Sequence, residues 1–135
     1  MHKAESIDNH LVKSYLLLPL ILSAFERDAG IISAQLRTPS PYLEVLDTAA
    51  SAATADLRDI RTEMRMRGIK VYEQHKLPHG LEAKFICRGY HERMLLLNEL
   101  IAAQAGIHMR RYLGLDISAF RNEQEQYGIK PAPQL

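Results

Sequence analysis

The sequence predicts a mainly α, α-rich α+β fold. Three long helices, over about residues 8–34, 41–67 and 90–113, bundle together, with a short β-hairpin over about 69–88 and a short C-terminal helix. Three observations carry this expectation. Apolar residues recur at alternating three- and four-residue steps through the three long segments. Proline or glycine separates the segments. Between the second and third segments the apolar step shortens to two.

In the first segment Leu11, Tyr15, Leu18, Leu22, Phe25, Ala29 and Ile32 form one stripe. Pro19 lies off it. A proline within a helix removes a hydrogen bond and crowds the preceding turn, at a cost of about 3 kcal/mol. The stripe keeps its phase through Pro19, which favours one kinked helix over a helix that begins there. Asp8 is the expected N-cap. The Tyr15–Phe25 run is much shorter than the roughly 20 apolar residues of a membrane span, and Glu26, Arg27 and Asp28 follow it directly. Glu5 and Asp8 also stand where a signal peptide carries positive charge.

The turn "LRTPSPY" ends the first helix. Ser40 is the expected cap of the second, with Pro41 at its first position. Leu43, Leu46, Ala50, Ala53, Leu57, Ile60 and Met64 then make a heptad seam. Gly68 follows Arg65 and Arg67, whose charges suit a helix C-terminus. Ile69 and Val71, then Ala83, Phe85 and Cys87, alternate as in strands, and "PHGL" reads as the turn between them. Tyr90, Met94, Leu97, Ile101, Ala105, His108 and Tyr112 give the third stripe, ended by Gly114. Residues 118–127 fit a last short helix, capped by Asp116 or Ser118, and 128–135 an extended proline-bearing tail. The whole, 1–135, reads as a single helical domain.

Composition narrows the function classes. Apolar residues make up 47% and charged residues 24%, as in ordinary globular chains. Seventeen Lys and Arg balance sixteen Asp and Glu, so no global field gathers nucleic acid or anionic lipid. Cys87 is the single cysteine, which fits a reducing compartment.

The stretches "LPLILSAFERDAGII", "PYLEVLDTAASAATADLRDIRTEMRMRGIKV" and "CRGYHERMLLLNE" resemble, in order and spacing, a YhjD-like family of small uncharacterised proteins from spore-forming Bacilli. The resemblance covers roughly residues 15–100. It rests on features such as Leu18-Pro19, Glu26-Arg27-Asp28, Pro41-Tyr42 and Gly89-Tyr90. It implies a cytoplasmic Bacillota protein and carries no activity or ligand.

Candidates for chemistry are few. His75 and His79 flank a turn and lack a third ligand at a metal-site spacing. Cys87 and His91 suggest a thiolate–imidazole pair, but Cys87 alternates with Phe85 and Ala83 as a buried small hydrophobe does. His108 sits on an apolar stripe, where a hydrogen-bonded core histidine is the ordinary case. No nucleotide-binding or nucleophile-elbow motif is present. No catalytic residue, metal site or cofactor is therefore assigned. The expected function is non-enzymatic and cytoplasmic, exercised through contacts with a protein partner or a second copy of the chain. Leu43, Ala50, Ala53 and Leu57 are the interface candidates on the second helix, with Tyr42 and Tyr90 as aromatic anchors. The alternative is a small nucleic-acid-binding regulator that uses Arg58, Arg61, Arg65 and Arg67.

Overall fold

In the computed structural model, which describes residues 4–120, α1 (Ser6–Gln35) and α2 (Ser40–Met66) come first. β1 (Ile69–Leu77), β2 (Gly80–Cys87) and β3 (Tyr90–Leu97) follow as an antiparallel sheet in the order β1-β2-β3. Then come α3 (Asn98–Tyr112) and a single 3-10 turn, Ser118–Phe120.

α1 and α2 form an antiparallel hairpin across the four residues 36–39. The start of α1 and the end of α2 meet at Asp8 and Arg67, 2.7 Å apart. α1 passes through Pro19 without interruption, and Pro19 lies on its exposed side. The predicted start at Asp8 is corrected: Glu5 is the N-cap and Asp8 the third helical residue, its carboxylate accepting the Glu5 N–H at 2.8 Å. Ser40 is likewise the first residue of α2 and Pro39 its cap. The predicted seam of α2 faces α1. Ala53, Leu57 and Met64 are buried, and Leu43, Leu46, Ala50 and Ile60 half-buried.

The predicted bundle of three long helices with a β-hairpin is overturned. Residues 90–97 are a third strand, so α3 is short and the hairpin is a three-stranded meander. Arg88 and Gly89, with φ of 48° and 89°, make the two-residue turn between β2 and β3. Positive φ at both positions matches the right-handed twist of flanking strands. The period was disguised because Leu95, Leu96 and Leu97 are apolar on both faces. Leu96 is buried opposite Leu81, whereas Leu95 and Leu97 are half exposed on the other side. A strand with leucines on both faces imitates helical spacing. Helix begins only at Asn98, whose N–H donates to the His79 carbonyl (2.9 Å) and whose Nδ2 donates to that of Pro78 (3.0 Å). These bonds tie the start of α3 to the β1–β2 turn.

The helices cover one face of the sheet. Ile69, Ala83, Phe85, Cys87 and Leu96 share a core with Val12, Leu16, Leu17, Ile21 and Phe25 of α1 and Tyr112 of α3. The opposite face carries Glu73 between Lys84 (3.2 Å) and His75 (3.1 Å), and Tyr72 against His91. An antiparallel sheet tolerates one wet face. Gly80 is required where β2 meets β3, because a Cβ there would collide with the Leu96 carbonyl. Of the predicted C-terminal helix, Ser118–Phe120 is a 3-10 turn, capped by Asp116, which accepts the Ser118 N–H at 3.0 Å. The remainder of that helix and the 128–135 tail lie outside the described residues.

Candidate functional site

Two carboxylates of the helical hairpin meet arginines across the core. Asp8 is fully buried. Arg88 donates to it through Nη2 at 2.8 Å and Arg67 through Nε at 2.7 Å. Arg88 also donates to the Arg67 carbonyl at 2.9 Å. This one carboxylate thus ties α1, the end of α2 and the β2–β3 turn together. The Arg88 hydrogen bond, helped by Arg67 and the Glu5 N–H, holds its carboxyl well below the usual carboxylate range and outweighs the opposing effect of burial.

The second carboxylate is Asp56, on α2. Its Oδ2 accepts the Tyr112 hydroxyl at 2.6 Å and Arg111 Nη2 at 3.0 Å, both from α3. Burial pushes the Tyr112 hydroxyl well above its ordinary pKa, and its bond to Asp56 adds to the rise. A cavity of about 470 Å³ opens beside this pair, between α1, α2 and α3. Leu11, Leu18 and Ile60 give it an apolar wall, and Asp59 and Glu63 lie along its α2 side. His108 lines it from α3 and is nine-tenths buried. Burial, then the neighbouring Arg111 charge, bring its pKa from 6.5 down to about 4, so the ring is neutral at physiological pH. His108 Nδ1 and Arg111 Nε are buried with no hydrogen-bond partner among the described residues. His108 was legible only as a core histidine, and Arg111 stands in the last turn of α3, where a cation suits a helix C-terminus without implying a partner. Asp56 showed no signal beyond its place in a charged helix.

The third feature is the far end of the α1–α2 hairpin. No residue from 26 to 48 is buried. Yet Ile31, Tyr42 and Val45 are apolar and about half exposed there, at 48%, 55% and 51%. Leu43 and Ala50 of the predicted interface line a groove between α1 and α2, with Leu22, Phe25, Ala29 and Leu46. Ala53 and Leu57 are occupied inside the chain's own core. Tyr90 lies away from them on β3, so the structure divides the six interface candidates among three places.

The predicted basic face is also divided. Arg67 is bound to Asp8. Arg58 lies 3.7 Å from Asp59, Arg61 lies over the Tyr15 ring, and Arg65 donates to the Thr62 hydroxyl at 3.3 Å. Cys87 and His91 sit on opposite faces of the sheet, because Cys87 pairs with Tyr90 and the adjacent Ile86 with His91. The Cys87 thiol is fully buried, and desolvation raises its pKa. Among the described residues no three His, Cys, Asp or Glu side chains converge for a metal, and no helix is long and apolar enough to cross a membrane.

These features define a class: a small two-layer α+β domain whose long helical hairpin is pinned at its base by a buried carboxylate and extends past its own core. The chain belongs to the YhjD protein family, which it matches over residues 3–117. A relative from Bacillus subtilis (strain 168), described as uncharacterized protein YhjD, is 30% identical over 104 residues, or 76% of this chain and 87% of its own length. No solved structure matches the chain.

Proposed function

We propose that this is a non-enzymatic, cytoplasmic protein that acts through protein contacts made by the far end of the α1–α2 hairpin, and that its first partner is a second copy of itself. One observation carries the reading: no residue of 26–48 is fully buried within the chain, while Ile31, Leu36, Tyr42 and Val45 are presented to solvent. Exposed apolar side chains gathered at one end of a small protein are the raw material of a contact surface. Two such hairpins packed together make a four-helix bundle, in which each gains the core it lacks alone. Tyr42 supplies the aromatic anchor that such interfaces favour.

Light scattering after size exclusion tests this. The expected mass is twice the 15.4 kDa of one chain, falling to one chain in Val45→Glu with the circular dichroism unchanged. A wild-type monomer at the highest soluble concentration sinks the reading.

A further inference from the structure

The cavity between α1, α2 and α3 is lined by residues that hairpin association does not use. We propose that it binds a small organic cation: a protonated amine on an apolar skeleton. The volume, about 470 Å³, lies within the usual range for small-molecule pockets. Its charge selects the ligand class. Asp56, Asp59 and Glu63 line it, against Arg111 as the one permanent cation, with His10 on the α1 side. Arg111 is matched by Asp56 at 3.0 Å. Asp59 has only an exposed contact with Arg58 at 3.7 Å, and such pairs neutralise little in water. The Glu63 carboxylate meets no cation among the described residues. His108 adds no compensating charge, being neutral near pH 7. Two carboxylates therefore face the cavity uncompensated, an arrangement that favours a cation and repels an anion.

The orphaned groups on the α3 side are an independent sign of incompleteness. His108 Nδ1 and Arg111 Nε belong to side chains nine-tenths buried, and the described chain gives neither a partner. Folded proteins rarely leave such groups unmet. The cavity thus has a polar end at His108 and Arg111, an apolar wall at Leu11, Leu18 and Ile60, and an acidic side at Asp59 and Glu63. An amine whose ammonium meets Glu63 and whose carbon skeleton lies on the leucines fits that sequence of surfaces. A hydroxyl or carbonyl on the same skeleton would reach toward Arg111.

The test is an amide-resonance titration of the full chain with three probes of similar shape: 2-phenylethylamine, neutral 2-phenylethanol and anionic 3-phenylpropanoate. The expected result is saturable shifts at Ser14, Ile60 and His108 with the amine, at least tenfold weaker binding of the alcohol, and none of the carboxylate. Glu63→Gln should weaken the amine at least tenfold. Should that variant lose its folded spectrum, Asp59→Asn, at an exposed position, serves in its place with the same expected direction. No saturable shift with the amine, equal affinity for the alcohol, preference for the carboxylate, or indifference of the folded variant to the charge change would each overturn the proposal. Binding is read at the cavity, so the outcome is separate from whether the hairpin associates.

Discussion

α1 is one helix in two settings. From Asp8 to Phe25 it supplies seven buried residues, and from Glu26 to Gln35 it supplies none. The helix runs unbroken through both halves. What differs is what lies opposite. The base faces the sheet and α3, whereas among the described residues the far end packs against the start of α2. Helical stability in water comes chiefly from a packed apolar face. The base therefore carries the free energy of the fold, and the far end presents surface. Substitutions that split sharply by location would confirm this division. Equal costs in both halves would break it.

The largest effect is expected at Asp8. Asp8→Asn keeps the shape but leaves Arg67 and Arg88 facing a neutral amide. Breaking a buried ion pair from one side costs about 3–5 kcal/mol, measured as a fall in folding free energy by urea titration at pH 7. The pH dependence gives a second check. Arg88 and Arg67 depress the folded-state pKa below that of the unfolded carboxylate. The stabilisation is therefore fully present above about pH 4 and lost as pH falls toward the folded value. The variant should lack that acid-dependent portion.

His108 comes next, in a different pH window. Its pKa falls from 6.5 to about 4 on folding, because burial disfavours the charged ring and Arg111 repels it, with Asp56 opposing. Between those values the unfolded chain takes up a proton that the folded chain refuses. Stability should therefore decline by roughly 2–3 kcal/mol from pH 6.5 to pH 4. In His108→Gln that slope should vanish while the Asp8 slope below pH 4 remains. Two separate slopes in one protein would assign each to its own contact with α1 or α3.

Tyr112→Phe is a smaller test of the base. It removes one hydroxyl donor from Asp56, a bond of 2.6 Å. A hydrogen bond to a charged group contributes about 1.5–3 kcal/mol. Asp56 keeps Arg111, which favours the low end of that range. Thermal unfolding of the variant at pH 7 measures it.

The helical hairpin was legible because its stripes hold a single period for many turns. Leu57 and Met64 needed only spacing to be placed in the core. β3 was hidden by its three consecutive leucines, since periodicity separates strand from helix only when one face is polar. Asp8 was read for its local role as a cap, which follows from neighbours in sequence. Its partners Arg67 and Arg88 stand 59 and 80 positions away, and no local rule joins them. The cavity was illegible for the same reason: Glu63 and His108 look ordinary until α2 and α3 are brought together. Cys87 was read by alternation as a small buried residue, and β2 buries it beside Phe85.

The smallest effect on folding is expected at the far end of the hairpin, where it is also the most informative. Ile31→Ser and Val45→Ser remove side chains that are half in water already. In the isolated chain each should change folding free energy by no more than about 0.5 kcal/mol. If two copies pack there, the same substitutions act on association, because the apolar area is buried only in the complex. The two effects separate by concentration. Unfolding midpoints of the wild type should rise with protein concentration, as binding that favours the folded state requires, and those of Val45→Ser should stay constant. Amide exchange gives the local version of this test. Amides of residues 29–33 and 43–47 should exchange at least tenfold faster in Val45→Ser than in the wild type. Those of Leu16–Ile21 should not change, because their protection comes from the shared core and not from a second chain. Uniform acceleration along the whole helix would mean that the far end is coupled to the core after all, and that α1 works as a single unit.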